Sequence, residues 1–191
     1  MQQITEEFFS RLGESLSSAL SAIVSRKVVF KSPKIMPLER PELFKKITTQ
    51  GAIFAAPVAA PFHSLLIQFF PEDMGKLMPE LGINPDARAA PPDFTDLHRS
   101  AMQEMFGNAW GSAAPALTDA LGLPFKVGRG EVSWNSFPAF LENLPAAREV
   151  KNFTAALFRL TVEGAPSSIS AVVMPSDLFE RVYRKVHKPP P

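Results

Sequence analysis

The chain has 191 residues, a net charge of +1, 46% hydrophobic and 20% charged residues, and no cysteine. It is long enough for one domain with a full core, and it carries no global field for nucleic acid or a membrane surface. Disulfides, thiolate metal sites and cysteine nucleophiles are excluded, and a cytoplasmic location fits. Glu6 and Glu7 precede any apolar run, unlike a secretory leader. The most apolar stretch, Gly51 to Phe62, is broken by Pro57 and Pro61 and is shorter than the roughly 20 residues of a bilayer span.

In chain order, Thr5 to Ser25 predicts an amphipathic helix. Phe8, Leu12, Leu16, Leu20 and Ile23 form its apolar stripe, and Thr5 is a candidate cap. Lys27 to Lys31 reads as a strand, after which Pro33, Pro37 and Pro41 enforce an extended or looping path. Ala52–Val58 and Ser64–Phe70 read as two strands joined by a turn at Ala59-Ala60-Pro61. Pro71 opens a short helix to about Leu81, with Glu72 and Asp73 in its first turn. Gly82 to Asp93 reads as a connector.

The order then repeats. Thr95 to Ala120 predicts a long helix burying Leu97, Met102, Met105 and Phe106, with Pro115 expected to kink it near Gly111. Phe125–Val127 is a short strand, Gly128-Arg129-Gly130 a turn, and Ser133 to Val150 a long excursion. Phe153–Val162 and Ser168–Val173 form a hairpin, and Pro175 opens a last helix to about Val186. The residues from His187 to Pro191 read as the start of a stiff Pro-rich linker to a further module.

The repeat has a register. Glu7, Ser15, Ala19-Leu20 and Ile35 match Glu104, Ser112, Ala116-Leu117 and Val132 at an offset of 97. Phe54, Val58, Pro71 and Asp73 match Phe158, Val162, Pro175 and Asp177 at an offset of 104, so one seven-residue difference separates the copies. Two copies are too few for a solenoid. The expectation is a single α+β domain over residues 1–188 with an internal pseudo-two-fold axis. Copy one covers about 1–81, the connector 82–93 and copy two about 94–186. Each copy runs α-β-β-β-α, contributing to one mostly antiparallel six-stranded sheet with paired long helices.

Little else carries chemistry. His63, His98 and His187 stand alone, so no metal site is expected. No phosphate loop or nucleophile elbow is present, and Gly128-x-Gly130 is too short for a dinucleotide fingerprint, so no cofactor is expected. Trp134 and the phenylalanines read as core. The basic cluster Arg181, Arg184, Lys185, His187 and Lys188 complements a helix C-terminus.

What remains are the glutamate-bearing helices. The run from Ser100 to Thr118 resembles the CheC, CheX and FliY group of chemotaxis and flagellar-switch proteins, whose fold also forms the FliM middle domain. The family motif is Asp/Ser-x3-Glu-x2-Asn with a Pro 23 residues on. In copy two, Ser100 and Glu104 fit, Gly107 stands at the Asn position and Gly130 at the Pro position. In copy one, Glu7 and Pro33 fit, Gln3 stands for Asp/Ser and Ser10 for Asn. In active members, the resemblance implies, the Asn amide orients the water that attacks the aspartyl phosphate of the response regulator CheY, and the Glu pairs with a regulator lysine. Gly107 offers no side chain, Ser10 is shorter by an amide, and Asn108 lies about 100° round the helix. The resemblance therefore implies a non-catalytic interaction domain that binds flagellar switch proteins or phosphorylated CheY through Gln3, Glu7, Ser100, Glu104 and Gly107. A degenerate phosphatase using Glu104 with Asn108, or Glu7 with Ser10, is the alternative. An unrelated α+β binding domain, with Glu7 and Glu104 as solvated helix residues, is the third reading. The oligomeric state stays open.

Overall fold

The computed structural model describes residues 1–187; most of the expected linker, Lys188 to Pro191, lies outside the described residues. The elements are α1 (Gln2–Val24), β1 (Val28–Glu39), α2 (Arg40–Lys46), β2 (Gln50–Ala60), β3 (Ser64–Pro71) and α3 (Glu72–Ile83), followed by α4 (Asp96–Leu121), β4 (Lys126–Val127), β5 (Glu131–Ser136), α5 (Phe137–Asn143), β6 (Asn152–Val162), β7 (Ser168–Pro175) and α6 (Asp177–Val186). A 3-10 turn, Pro145–Ala147, follows α5.

All strand pairs are antiparallel, in the order β1-β6-β7-β3-β2, with β4 and β5 both pairing β2 at the far edge. The seven segments thus fill six strand positions, as expected of the α+β fold. The order reads the same from either end, because β1 corresponds to β4 and β5, β6 to β2, and β7 to β3. The axis passes through the pair Gln68↔Val172, whose members are 104 residues apart. The paired long helices α1 and α4 also stand as expected, packed against each other.

Register shows where the copies differ in length. Ile35 pairs with Ala156, and Val132 with Phe54. Val132 follows Ile35 by 97 residues, so Ala156, 102 residues after Phe54, is the counterpart of Phe54. Likewise Gly51↔Pro71 answers Phe153↔Pro175, with offsets of 102 and 104. The expected matches of Phe54 with Phe158 and Val58 with Val162 are therefore two residues out of register, whereas Pro71 with Pro175 holds. The seven-residue difference is split in two. Five residues enter between α5 and β6, where the 3-10 turn sits, and two enter the β6–β7 hairpin loop.

The same backbone devices recur 97 residues apart. Both long helices end in a left-handed residue, Ser25 (φ 53) and Gly122 (φ 62). Just before each end, a hydroxyl accepts from the amide that starts the next segment: Ser21 Oγ from Val28 N at 2.9 Å, Thr118 Oγ1 from Phe125 N at 2.9 Å. The short helices α2 and α5 begin with Pro41 and Pro138 in their first turns, where a missing N–H costs nothing.

Several local expectations change. Thr5 is not a cap: α1 starts earlier, and the Thr5 hydroxyl donates to the Met1 carbonyl at 3.1 Å. Pro33 and Pro37 do not end β1. It is an edge strand, where proline removes no obligatory ladder bond, and its register shifts between Lys31 and Lys34. The excursion after Ser133 contains strand β5 and helix α5, and α2 fills the matching place, so each copy runs α-β-α-β-β-α. Leu97 is 62% exposed rather than buried. Helix α4 continues across Pro115.

Alternation along the strands divides the core. Leu66 and Phe70 face the cluster built with α1, α3, α4 and α6, which includes Phe8, Phe106, Trp110 and Phe179. Leu65, Ile67 and Phe69 face a second cluster with Leu43 of α2, Phe137 and Leu141 of α5, and Ala147. The sheet is thus covered on both faces, and the short helices missed in the sequence form the second cover.

Candidate functional site

Helix α4 is fixed at its start and its middle. At the start, the Thr95 amide donates to His98 Nδ1 at 3.0 Å, which leaves the ring proton on Nε2 to donate to Glu80 Oε2 at 3.0 Å. Thr95 Oγ1 in turn accepts from the His98 amide. This reciprocal cap satisfies two orphan amide donors of the first turn. In the middle, Trp110 Nε1 donates to Gln68 Oε1 at 2.9 Å, at the axis of the sheet. Both side chains are fully buried. The face of α4 opposite these anchors is left to solvent.

That face carries the motif. Ser100, Gln103, Glu104, Gly107 and Asn108 line one wall of an open groove of about 560 Å³, and Val127 with Gly128-Arg129-Gly130 lines the other. Ser100, Glu104, Gly107 and Asn108 are all exposed. The residues singled out in copy two are therefore brought together. Asn108 shares this groove with Glu104, four residues before it, although it stands one position beyond the motif. A Cβ at Gly107 would meet nothing within 4 Å, so the missing side chain leaves open space, not a filled one.

In copy one, Gln3, Glu7 and Ser10 lie exposed on α1. Their positions match Ser100, Glu104 and Gly107 at the 97-residue offset that the helix ends and the strands fix. Glu7 is engaged by Arg11, four residues on, at 3.7 Å. The residue at the place of Arg11 in copy two is Asn108. Among the described residues, Glu104 has no such partner.

The strand-breaking turn explains the departure at Gly130. A Cβ there would overlap the Phe54 ring at Cζ and Cε2 and crowd Cε1. Phe54 is fully buried and packs against Phe106 of α4, with ring centroids 6.0 Å apart. At Gly128 a Cβ would come within 2.9 Å of Pro57 Cγ, and the Gly128 amide donates to the Pro57 carbonyl at 2.7 Å. Both glycines let the backbone lie flat on β2. Between them Arg129 is exposed, with no hydrogen-bond or ion-pair partner among the described residues. The sequence reading passed over Arg129, although its position beside the motif's Pro site was visible.

A carboxylate and an amide on one wall and a guanidinium on the other equip the groove for binding charged groups of either sign. Among the described residues, no three His, Asp or Glu side chains gather as metal ligands, and no helix is long and apolar enough to cross a membrane.

No protein-family model matches the chain, and no curated protein matches it in sequence. Solved structures do match in fold. FliY of Thermotoga maritima superposes with a TM-score of 0.76 at 18% identity, over 91% of this chain and 88% of that one. A chain of the FliG–FliM complex of Helicobacter pylori gives a TM-score of 0.66 at 8% identity, over 91% and 92%. CheX of Desulfovibrio desulfuricans gives 0.59 at 12% identity, over 88% and 97%. The doubled α-β-α-β-β-α order, the palindromic sheet and these superpositions together give the chain a CheC/CheX/FliY-type fold.

Proposed function

We propose that the chain is a non-catalytic interaction domain of a flagellar motor switch or chemotaxis assembly, docking switch proteins or a response regulator through the exposed faces of α4 and α1. The observation that carries this reading is the state of the motif in both copies. Each keeps its glutamate on an exposed helix face, and neither offers an amide three residues on, where Ser10 and Gly107 stand. The names of the structural neighbours, FliY, FliM in complex with FliG, and CheX, supply the class of partner. Loss of one positioned polar group of this kind costs about 10²–10³ in rate, so with both absent the domain binds without accelerating hydrolysis.

One observation favours a second reading. Asn108 and Glu104 line the same groove, so a phosphatase that places its amide at i+4 instead of i+3 has its two side chains within one site. Phosphate release from phosphorylated CheY, with and without the domain, separates the two. The non-catalytic reading expects no acceleration, and a gain in Gly107→Asn, whose side chain has room. Acceleration by the unaltered domain that disappears in both Glu104→Ala and Asn108→Ala establishes the phosphatase instead. Pull-down with FliG and FliM tests the switch-protein arm.

A further inference from the structure

We propose that Arg129 is the anion-contacting residue of the copy-two groove, and that it makes the domain bind a phosphorylated receiver in preference to the same receiver unphosphorylated. The inference rests on the response-regulator arm of the proposed function.

Three features of the groove carry it. The first is asymmetry between the copies. In copy one the motif glutamate is already engaged by Arg11, whereas in copy two Glu104 is without an ion-pair partner and faces the groove. Copy two therefore retains its charge for a partner.

The second is how Arg129 is displayed. In copy one the edge strand runs unbroken through positions 31–34, with only a register shift. In copy two the same stretch is divided into β4 and β5 by Gly128-Arg129-Gly130. The division does not leave a loose loop. The Gly128 amide is tied to Pro57 at 2.7 Å, and Gly130 lies flush on the buried Phe54 ring. A guanidinium on a turn fixed at both flanks loses less freedom on binding than one on a mobile loop. The corresponding position in copy one is a serine, flanked by Lys31 and Lys34, so the two copies place their cations differently along this stretch.

The third is charge arrangement. Glu104 stands on the helix wall and Arg129 on the turn wall of one open groove. This suits a surface that offers a cation and an anion side by side. A phosphorylated carboxylate next to a basic side chain is such a surface. The phosphoryl group carries a charge of about −2 and three acceptor oxygens; because it takes the place of an ionised carboxylate, the receiver gains about one negative charge. The planar fork of arginine matches it with two parallel hydrogen bonds. No bond is made or broken, and the phosphoryl group is held where it is. The unphosphorylated receiver keeps its contacts with the helix wall and lacks the group that Arg129 holds.

The test is binding of CheY with and without beryllofluoride, which mimics the aspartyl phosphate, measured by titration calorimetry. The unaltered domain is expected to favour the loaded form by about 10-fold or more, the range of a charge-assisted hydrogen bond. Arg129→Gln should bring the ratio close to 1 while leaving affinity for unloaded CheY within about twofold. Arg129→Lys, a point charge without the fork, should fall between. Arg11→Gln, which removes a cation from copy one, should leave the ratio unchanged. Arg129 is exposed, and an unaltered melting transition shows that each variant is folded. A ratio near 1 in the unaltered domain, or a preference that survives Arg129→Gln, overturns the inference while the binding reading stands. If neither form of CheY binds, the inference and the response-regulator arm fall together, and capture of FliG or FliM decides whether the switch-protein arm remains.

Discussion

Two glycine-to-alanine substitutions on opposite walls of the groove should shift stability in opposite directions. At Gly130 the new methyl would overlap two atoms of the Phe54 ring, Cζ and Cε2, and crowd a third. That ring cannot retreat freely: it is fully buried and packs on Phe106, which packs in turn on Phe70 with centroids 4.8 Å apart. Overpacking of this kind costs about 1–3 kcal/mol. At Gly107 the new methyl meets nothing within 4 Å, in the middle of a 26-residue helix. Alanine there removes the entropic penalty of a helical glycine, worth about 0.5–1 kcal/mol. For a chain of this length each kcal/mol moves Tm by about 2–4 °C. Gly130→Ala should therefore melt roughly 2–12 °C lower than the unaltered domain, and Gly107→Ala roughly 1–4 °C higher, by circular dichroism. Urea midpoints should move in the same senses. Gly130→Pro restores the residue of the family motif but carries the same Cβ, so it should behave like Gly130→Ala. If Gly130→Ala proves neutral or raises Tm, the close packing of Gly130 on Phe54 is wrong; if Gly107→Ala lowers Tm, the open space at Gly107 is wrong.

Two further outcomes follow from the α4 anchors. Trp110→Phe should cost about 2–4 kcal/mol, because it opens a cavity and strips Gln68 of its partner when Gln68 Nε2 already has none; adding Gln68→Leu should recover part of this, and strict additivity in urea unfolding would deny the coupling. Pro115→Ala should raise Tm by several degrees, since Pro115 is exposed and its ring denies the Gly111 carbonyl a ladder bond; a clear fall would show that the proline shapes the packing of α4 on α1.

Much of the fold was legible because its strongest signals are local. The stripe Phe8, Leu12, Leu16 and Leu20 marks α1, and all four residues are fully buried. Both hairpins and the helices after Pro71 and Pro175 stand near their expected bounds. The failures have tertiary causes. Pro33 and Pro37 look like breakers until β1 is known to lie at an edge, where an unpaired side tolerates them. The helices α2 and α5 have seven residues each, too few for a periodic signal. They are held by packing Leu43, Phe137 and Leu141 onto the sheet's second face. The false match of Phe54 with Phe158 arose because identity was followed where only register decides. At the site, Glu104 and Ser100 were legible as a motif. The pairing of Glu104 with Asn108 and the place of Arg129 beside the motif's Pro position were also visible in sequence; that all three line one groove was not, since it depends on how the broken edge strand lies against α4.

The two kinds of position in the repeat have diverged differently, and this bears on the site. Where a pair sets backbone geometry, its chemistry is kept: Ser21 and Thr118 receive the same amide, Ser25 and Gly122 end their helices with positive φ, and Pro41 and Pro138 open the short helices. Around the α4 groove the pairs differ in kind. At the 97-residue offset Arg11 corresponds to Asn108, Ser10 to Gly107, and the serine at position 32 to Arg129. Inside, Gly13 corresponds to Trp110: the glycine's Cβ would lie 3.0 Å from Phe158, while the tryptophan reaches the axial Gln68. That central hydrogen bond can be made from one side only, because the axis offers a single glutamine, opposite Val172. A two-fold frame with one occupied centre cannot present two equal faces. The copy that owns the central anchor is also the copy with Glu104 unengaged and Arg129 displayed, so the exposed faces of α1 and α4 differ in charge arrangement as well as in packing.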